Sequence, residues 1–345
     1  MPKKTALIIG ITGQDGSHLA DFLLSKNYKV VGLKRRSSSI NTGRIDHLYE
    51  KNVLNKKFFP CYGDLTDSSS IIRIVQESKP NEIYNLGAQS HVKTSFETPE
   101  YTAQTDAIGT LRVLEAIRIL NLQKKTKFYQ ASTSEIFGNT QVPQNEKTPF
   151  RPQSPYAISK LYSYWTTKNY REAYGIFAVN GILFNHEGTK RGETFVTRKI
   201  TRAVASYYHG KNDILYLGNL YAKRDWGSAK DYVKTMWLML KKKVPSDYVI
   251  ATGKSHTVKE FVIEAFKCIG VQVVWKFKGL KEIGVDKKTK KTLVKIDKGY
   301  YRPTEVHELR GDPSKARREL GWKPKTSLKD LVEEMVTADI NKLSQ

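Results

Sequence analysis

Ala6-Leu-Ile-Ile-Gly-Ile-Thr-Gly-Gln-Asp-Gly16 decides the fold. A short apolar run, residues 6–10, stops at Gly10. After Gly13 and Gly16 it gives way to a segment with Leu19, Phe22 and Leu23 on one face. Apolar residues at i, i+3 and i+4 mark a helix, and a compact apolar run bounded by glycine marks a buried strand. The order strand, glycine turn, helix opens a βαβ unit that can hold a dinucleotide. Gly10 permits the tight turn, Gly13 lets backbone approach a pyrophosphate, and Gly16 lets the helix pack closely on the strand. Free N–H groups at the helix start add a partial positive charge. A glycine turn alone is common; its place between strand and helix supplies the mechanism.

Outward from that turn the pattern repeats. Residues 29–33, 57–62, 82–86, 127–132 and 177–184 read as further strands, and 18–25, 101–120 and 156–174 as helices, the last capped by Gly175. A polar loop with prolines spans 139–155. Strands alternating with helices imply an α/β fold, a doubly wound parallel sheet of Rossmann type. Beyond residue 184 the alternation weakens, so we expect a dinucleotide domain over 1–184, joined by part of 213–252. A smaller C-terminal α/β substrate domain should lie mainly in 185–345. The lysine-rich stretch 279–299 reads as an exposed hairpin or loop, and 327–343 as a closing helix.

The 345 residues carry 58 basic and 34 acidic side chains, a net charge of +24. Nucleic-acid binding is one reading of that excess. The other is a solvated surface attracting small anions. Much of the charge sits in short clusters, Lys241-Lys242-Lys243, Lys287-Lys288 and Lys290-Lys291, with no nucleic-acid module beside them, which favours the second. No apolar run approaches the ~20 residues of a membrane span or the ~7–15 of a signal-peptide core. Cys61 and Cys268 have neither metal-ligand nor redox spacing. The expectation is a cytoplasmic protein with no metal site.

The end of the second strand selects the cofactor. An acidic residue there accepts from the ribose 2′-hydroxyl of NAD. This chain has Lys34-Arg-Arg-Ser37 instead. Guanidinium groups bind a phosphate bidentately, so the reading is NADP, with Arg35 in the lead. Asp64 and Leu65, just past the third strand, are placed to meet the adenine.

Tyr156 and Lys160 are four apart on one expected helix and so share a face. A free tyrosine has a pKa of about 10, and a neighbouring ammonium lowers it toward the range of a working base. Tyr164 and Lys168 repeat the spacing, but only Tyr156 opens a helix after a proline loop, some twenty residues past the hydroxyl-rich strand end Ala131-Ser-Thr-Ser-Glu135. The hydroxyls of that strand end can bind the reacting oxygen of a substrate. Glu135 is superfluous for alcohol oxidation alone, and is needed if a second proton must leave the carbon beside a new ketone.

These residues resemble the extended short-chain dehydrogenase/reductase superfamily and, within it, the GDP-mannose 4,6-dehydratase family. The resemblance runs nearly the whole chain. It includes the glycine turn, Arg35-Arg-Ser-Ser-Ser39, Gln89-Ser-His-Val92, Ser154-Pro-Tyr-Ala157, Phe184-Asn-His-Glu187, Arg224-Asp-Trp226, Arg302-Pro-Thr-Glu305 and Gly311-Asp-Pro-Ser-Lys315. It implies Thr133, Glu135, Tyr156 and Lys160 as catalytic positions. Cofactor contacts are implied at Gly10, Ile11, Thr12, Gly13, Gln14, Asp15 and Gly16, then at Arg35, Asp64 and Leu65. Leu86, Gly87, Ala88, Gln89 and Ser90 follow, with Tyr101, Lys160, His186 and Arg191. Substrate contacts are implied at Ser90, Asn185, Lys199, Arg224 and Arg302, the cations facing a diphosphate. Gly188-Thr-Lys190 departs from the family's usual Ser-Pro-Arg, and Gly87 stands where alanine is common.

The activity implied is an NADP-dependent hydro-lyase that turns GDP-D-mannose into GDP-4-keto-6-deoxy-D-mannose. Hydride leaves C4 and returns at C6. The retained ketone admits a secondary NADPH-dependent reduction to GDP-D-rhamnose. A nucleotide-sugar 4-epimerase or reductase is the rival enzyme reading, and would need no Glu135. A non-catalytic NADP-sensing protein is the rival of another class, and would need neither Tyr156 nor Lys160. The family also implies a homo-oligomer, dimer or tetramer, with the loop near Arg35 to Arg44 close to a neighbour.

Overall fold

The computed structural model describes residues 4–49 and 56–344. In chain order its first half runs β1 (Thr5–Ile9), α1 (Gln14–Ser25), β2 (Lys29–Lys34), β3 (Phe58–Tyr62), α2 (Ser68–Ser78) and β4 (Glu82–Asn85). It continues with α3 (Val92–Glu97), α4 (Pro99–Thr102), α5 (Gly109–Ile119), β5 (Lys127–Thr133), α6 (Pro155–Tyr174) and β6 (Phe177–Leu183). The second half adds β7 (His186–Glu187), α7 (Val196–Tyr208), β8 (Leu215–Leu217), β9 (Lys223–Arg224), β10 (Gly227–Ser228), α8 (Ala229–Lys241) and β11 (Tyr248–Ile250). Then come β12 (His256–Thr257), α9 (Val258–Lys267), β13 (Val273–Lys276), β14 (Ile283–Asp286), β15 (Thr292–Ile296), β16 (Glu308–Leu309), α10 (Ser314–Leu320) and α11 (Leu328–Leu343).

Seven parallel strands make the central sheet, ordered β11-β6-β5-β4-β1-β2-β3. Side chains alternate along a strand, and β1 feeds two apolar layers accordingly. Ala6 and Ile8 enter one cluster with Leu19, Leu23, Tyr232 and Met236 from α1 and α8. Leu7 and Ile9 enter the other with Ile71, Val75, Val113 and Ile117 from α2 and α5. Helices on both faces explain why these strands read as continuous apolar runs. A third cluster joins α7, α9, α11 and β15 through Val204, Phe261, Val294 and Met335.

Several elements differ from the sequence reading. α1 begins at Gln14, four residues early, because Gly13 is its cap. α2 was not expected; the Asp67 carboxylate accepts from the Ser69 N–H at its start, and Ile71, Ile74 and Val75 bury one face. The single helix expected over 101–120 is broken into α4, a π-helical turn Ala103–Ile108, and α5. The lysine-rich stretch is a hairpin of β14 and β15, yet not simply exposed: Val285, Leu293 and Val294 turn inward. α6 starts one residue early at Pro155 and ends, as expected, at Gly175 with φ +65°. Both cysteines are free thiols. Among the described residues no helix is long and apolar enough to cross a membrane, and no three His, Cys, Asp or Glu side chains are grouped to hold a metal ion.

Candidate active site

A cavity of about 1060 Å³ opens at the carboxyl ends of β1, β4, β5 and β6. In open α/β sheets ligands bind at that end. The glycine turn forms one wall. Gly10 has φ +83°, and a Cβ there would lie 2.9 Å from the Gly87 Cα; a Cβ on Gly16 would lie 2.3 Å from the Gly10 carbonyl oxygen. Both glycines are therefore required by close backbone approach. No side chain caps α1, so its first turn, which lines the cavity, presents bare backbone. That cradle fits a pyrophosphate.

His186 braces the same turn. Its ring lies 2.7 Å from the Phe184 carbonyl through Nδ1 and 2.6 Å from Asp15 Oδ2 through Nε2, stacked on Tyr232. Both neighbours are acceptors, so both ring nitrogens donate. Burial opposes that charge, but the Asp15 carboxylate overrides it and raises the His186 pKa; Asp15 is correspondingly lowered against its own burial.

At the end of β5, Thr133 caps a short 3₁₀ turn and accepts from the Glu135 N–H at 3.2 Å. Ser154 caps α6, accepting from the Ala157 N–H at 3.1 Å, which aims Tyr156 from the first helical turn. Tyr156, Lys160, Thr133 and Glu135 all line the cavity. Burial pushes the Tyr156 pKa well up, Asp106 adds to that, and a hydrogen bond with Thr133 draws it back. The Lys160 ammonium lies 5.9 Å from the phenol ring centroid and donates to the Ala131 carbonyl at 3.2 Å. Burial lowers the Lys160 pKa while Asp106 supports it. The depressed tyrosine expected from spacing alone is therefore not met in this geometry. Burial and the Asp106 carboxylate outweigh the Thr133 hydrogen bond.

The opposite wall is cationic. Arg302 Nη1 lies 3.4 Å from each Glu135 carboxylate oxygen. Arg224, 7% exposed, donates through Nη1 to the Val306 carbonyl at 3.0 Å, and burial lowers its pKa. Lys199 lies 3.5 Å over the Tyr300 ring. Arg191 stacks 3.8 Å above Phe195 with Nε 3.0 Å from Glu187. Ser90 and Asn185 also line the cavity, as do Leu86, Ala88 and Gln89.

Seven of the expected cofactor positions stand outside that lining. Ile11 is a core residue against Gly32, and Leu65 presses on Gly87 and Gly109. Thr12 offers its carbonyl to Arg44 at 3.3 Å. The Asp64 carboxylate accepts from the Thr66 N–H and hydroxyl, an ordinary turn. Arg35 donates to the Tyr101 hydroxyl at 2.5 Å on the surface. Gly87 meets Gly10. Tyr164 is buried and Lys168 lies over Trp165, so the second tyrosine–lysine pair has no share in the site.

Sequence reasoning missed Asp106. It sits in the π turn, accepts from the Gln89 N–H at 2.7 Å through Oδ1, and leaves Oδ2 buried without a partner. It also missed His91, which accepts from Thr94 at the start of α3 and lies 5.5 Å from Phe195. Asp106 carried no signal, since an aspartate inside an apparently regular helix reads as solvated; His91 stood in the Gln89-Ser-His-Val92 string without a role of its own.

The family described as GDP-mannose 4,6 dehydratase matches residues 7–335. A GDP-mannose 4,6-dehydratase of Sinorhizobium fredii (strain HH103) is 59% identical over 343 residues, 99% of this chain and 98% of that protein. The GDP-mannose 4,6 dehydratase of Homo sapiens is 57% identical over 344 residues, 98% of this chain and 92% of that one. A solved structure of dTDP-glucose 4,6-dehydratase from Bacillus anthracis in complex with NAD covers 97% of this chain and 96% of its own, with a TM-score of 0.78 at 20% identity. That last likeness concerns the fold.

Proposed function

The chain belongs to the GDP-mannose 4,6-dehydratase family, and from that membership we propose that it is an NADP-dependent hydro-lyase converting GDP-D-mannose to GDP-4-keto-6-deoxy-D-mannose. One observation carries the reading: Thr133, Glu135, Tyr156 and Lys160 converge on a single cavity walled by the bare glycine turn. The dinucleotide, held by that turn, His186 and Arg191, supplies reversible hydride acceptance beside the sugar.

Tyr156, hydrogen-bonded with Thr133, receives the proton of the C4 hydroxyl. Lys160 is anchored by the Ala131 carbonyl and adds positive charge below the phenol. The new ketone acidifies C5. Glu135 takes that proton and returns one to the departing C6 hydroxyl, which leaves as water, and the C5=C6 bond so formed takes the hydride back at C6 and a proton at C5. Arg302 orients the Glu135 carboxylate, and with Arg224 and Lys199 it balances the charge of a substrate diphosphate. Arg35 next to Tyr101 is the proposed reader of a 2′-phosphate.

Self-association belongs to the same proposal. It is supported by the exposed Ile158, Tyr162 and Trp165 on α6, which border an apolar groove of about 550 Å³ with Leu111. A cytoplasmic setting accords with two unpaired thiols.

The test is GDP-mannose with catalytic NADP⁺, followed by mass spectrometry for loss of one water. Glu135→Gln should lower turnover by about 10²–10⁴, the usual worth of a positioned acid–base group. Unchanged turnover would refute the role.

A further inference from the structure

Two guanidinium groups outside the catalytic set grip three consecutive carbonyls of the loop that carries Arg191. Arg198, in the first turn of α7, donates through Nη1 to the carbonyls of Thr189 and, at 3.2 Å, Arg191. Arg44 donates through Nε to the Lys190 carbonyl at 2.7 Å, and its Nη1 reaches the Thr12 carbonyl of the glycine turn at 3.3 Å. α11 in turn holds Arg198. The Asp339 Oδ1 lies 2.9 Å from its Nε and 2.6 Å from its Nη2, and Thr201 donates to Oδ2 at 2.7 Å. The Arg198 and Asp339 side chains are 6% and 3% exposed.

A buried guanidinium needs its counter-ion, and its fork lets it serve a carboxylate and carbonyls together. The loop has Gly188 and no proline, so its own backbone does little to fix it. The cations replace that stiffness. Arg191 then projects from a loop fixed on one side to the glycine turn and on the other to the C-terminal helix.

We propose that Arg44, Arg198 and Asp339 are positioning residues that set Arg191 against the dinucleotide, making α11 a determinant of how tightly the cofactor is held. The inference rests on the reading of Arg191 as a cofactor contact. Arg198→Lys keeps a cation opposite Asp339 but cannot span the carboxylate and both carbonyls. Asp339→Asn keeps the shape and removes the counter-charge.

NADP⁺ and GDP are titrated calorimetrically into the wild type and each variant, with thermal melts alongside. The NADP⁺ dissociation constant should rise roughly tenfold in both variants, a typical coupling between linked sites, while that for GDP stays within about twofold. Wild-type NADP⁺ affinity in Arg198→Lys, whatever happens to its melting, overturns the clamp. A wild-type protein that binds no NADP⁺ would instead remove the cofactor reading, and the clamp with it.

Discussion

Asp106→Asn should flatten the dependence of stability on pH. Asp106 is 1% exposed, with Oδ1 on the Gln89 N–H and Oδ2 without a partner. Burial raises its pKa from 3.8 to about 7, with Lys160 pulling the other way. A folded-state value above the unfolded one means the folded protein holds the proton more tightly. That stabilisation is complete below pH ~4 and is lost as pH rises through about 7. About three pH units at roughly 1.4 kcal/mol each make some 4 kcal/mol in total, of which about 3 kcal/mol falls between pH 5 and 8. Asparagine accepts the same N–H and has no such proton to lose.

Urea unfolding of both proteins at pH 5, 6, 7 and 8 tests this. His18 and His186 titrate in both and cancel in the difference. The wild type should lose about 3 kcal/mol relative to the variant across the series. Parallel curves would refute the argument that burial, not Lys160, governs this carboxyl.

Gly188→Ser should be stabilising. A Cβ there would sit 3.7 Å from Gln14 Oε1 and 4.0 Å from His18 Nε2, two buried atoms without partners. One satisfied hydrogen bond adds about 1 kcal/mol, or roughly one or two degrees of melting temperature in a chain this long; a lower melting temperature would show the space is already committed. Arg35→Glu should weaken NADP⁺ by at least ~10-fold while sparing NAD⁺, because a carboxylate repels the 2′-phosphate. Equal losses for both nucleotides would sink that assignment.

What could be read from the chain was local. The β1–turn–α1 unit declares itself because packing requires glycine at positions 10 and 16 whatever surrounds them. α6 does so through the proline loop before it and its terminal glycine. α2 escaped notice because its buried face mixes Ser70 with Ile71, Ile74 and Val75, and three serines at its start dilute the apolar period. The π turn is invisible because one extra residue per turn shifts register without changing composition. Tyr156 lines the cavity, but its acidity could not be read from spacing, since burial is a property of everything packed around it. The grip of Arg44 and Arg198 joins residues as far apart as 44 and 190, or 198 and 339, pairings no spacing rule reaches.

The position of β11 has a consequence during synthesis. β6 is complete at residue 183, but the strand that covers its outer edge ends at residue 250. For the time it takes a ribosome to add those intervening residues and clear them from its tunnel, a six-stranded sheet stands with one parallel edge open. At about 5–20 residues per second that interval lasts several seconds. An uncovered edge is a template for pairing with other chains, so a pause while β6 has left the tunnel and β11 has not should lower the yield of native protein more than the same pause once β11 has emerged.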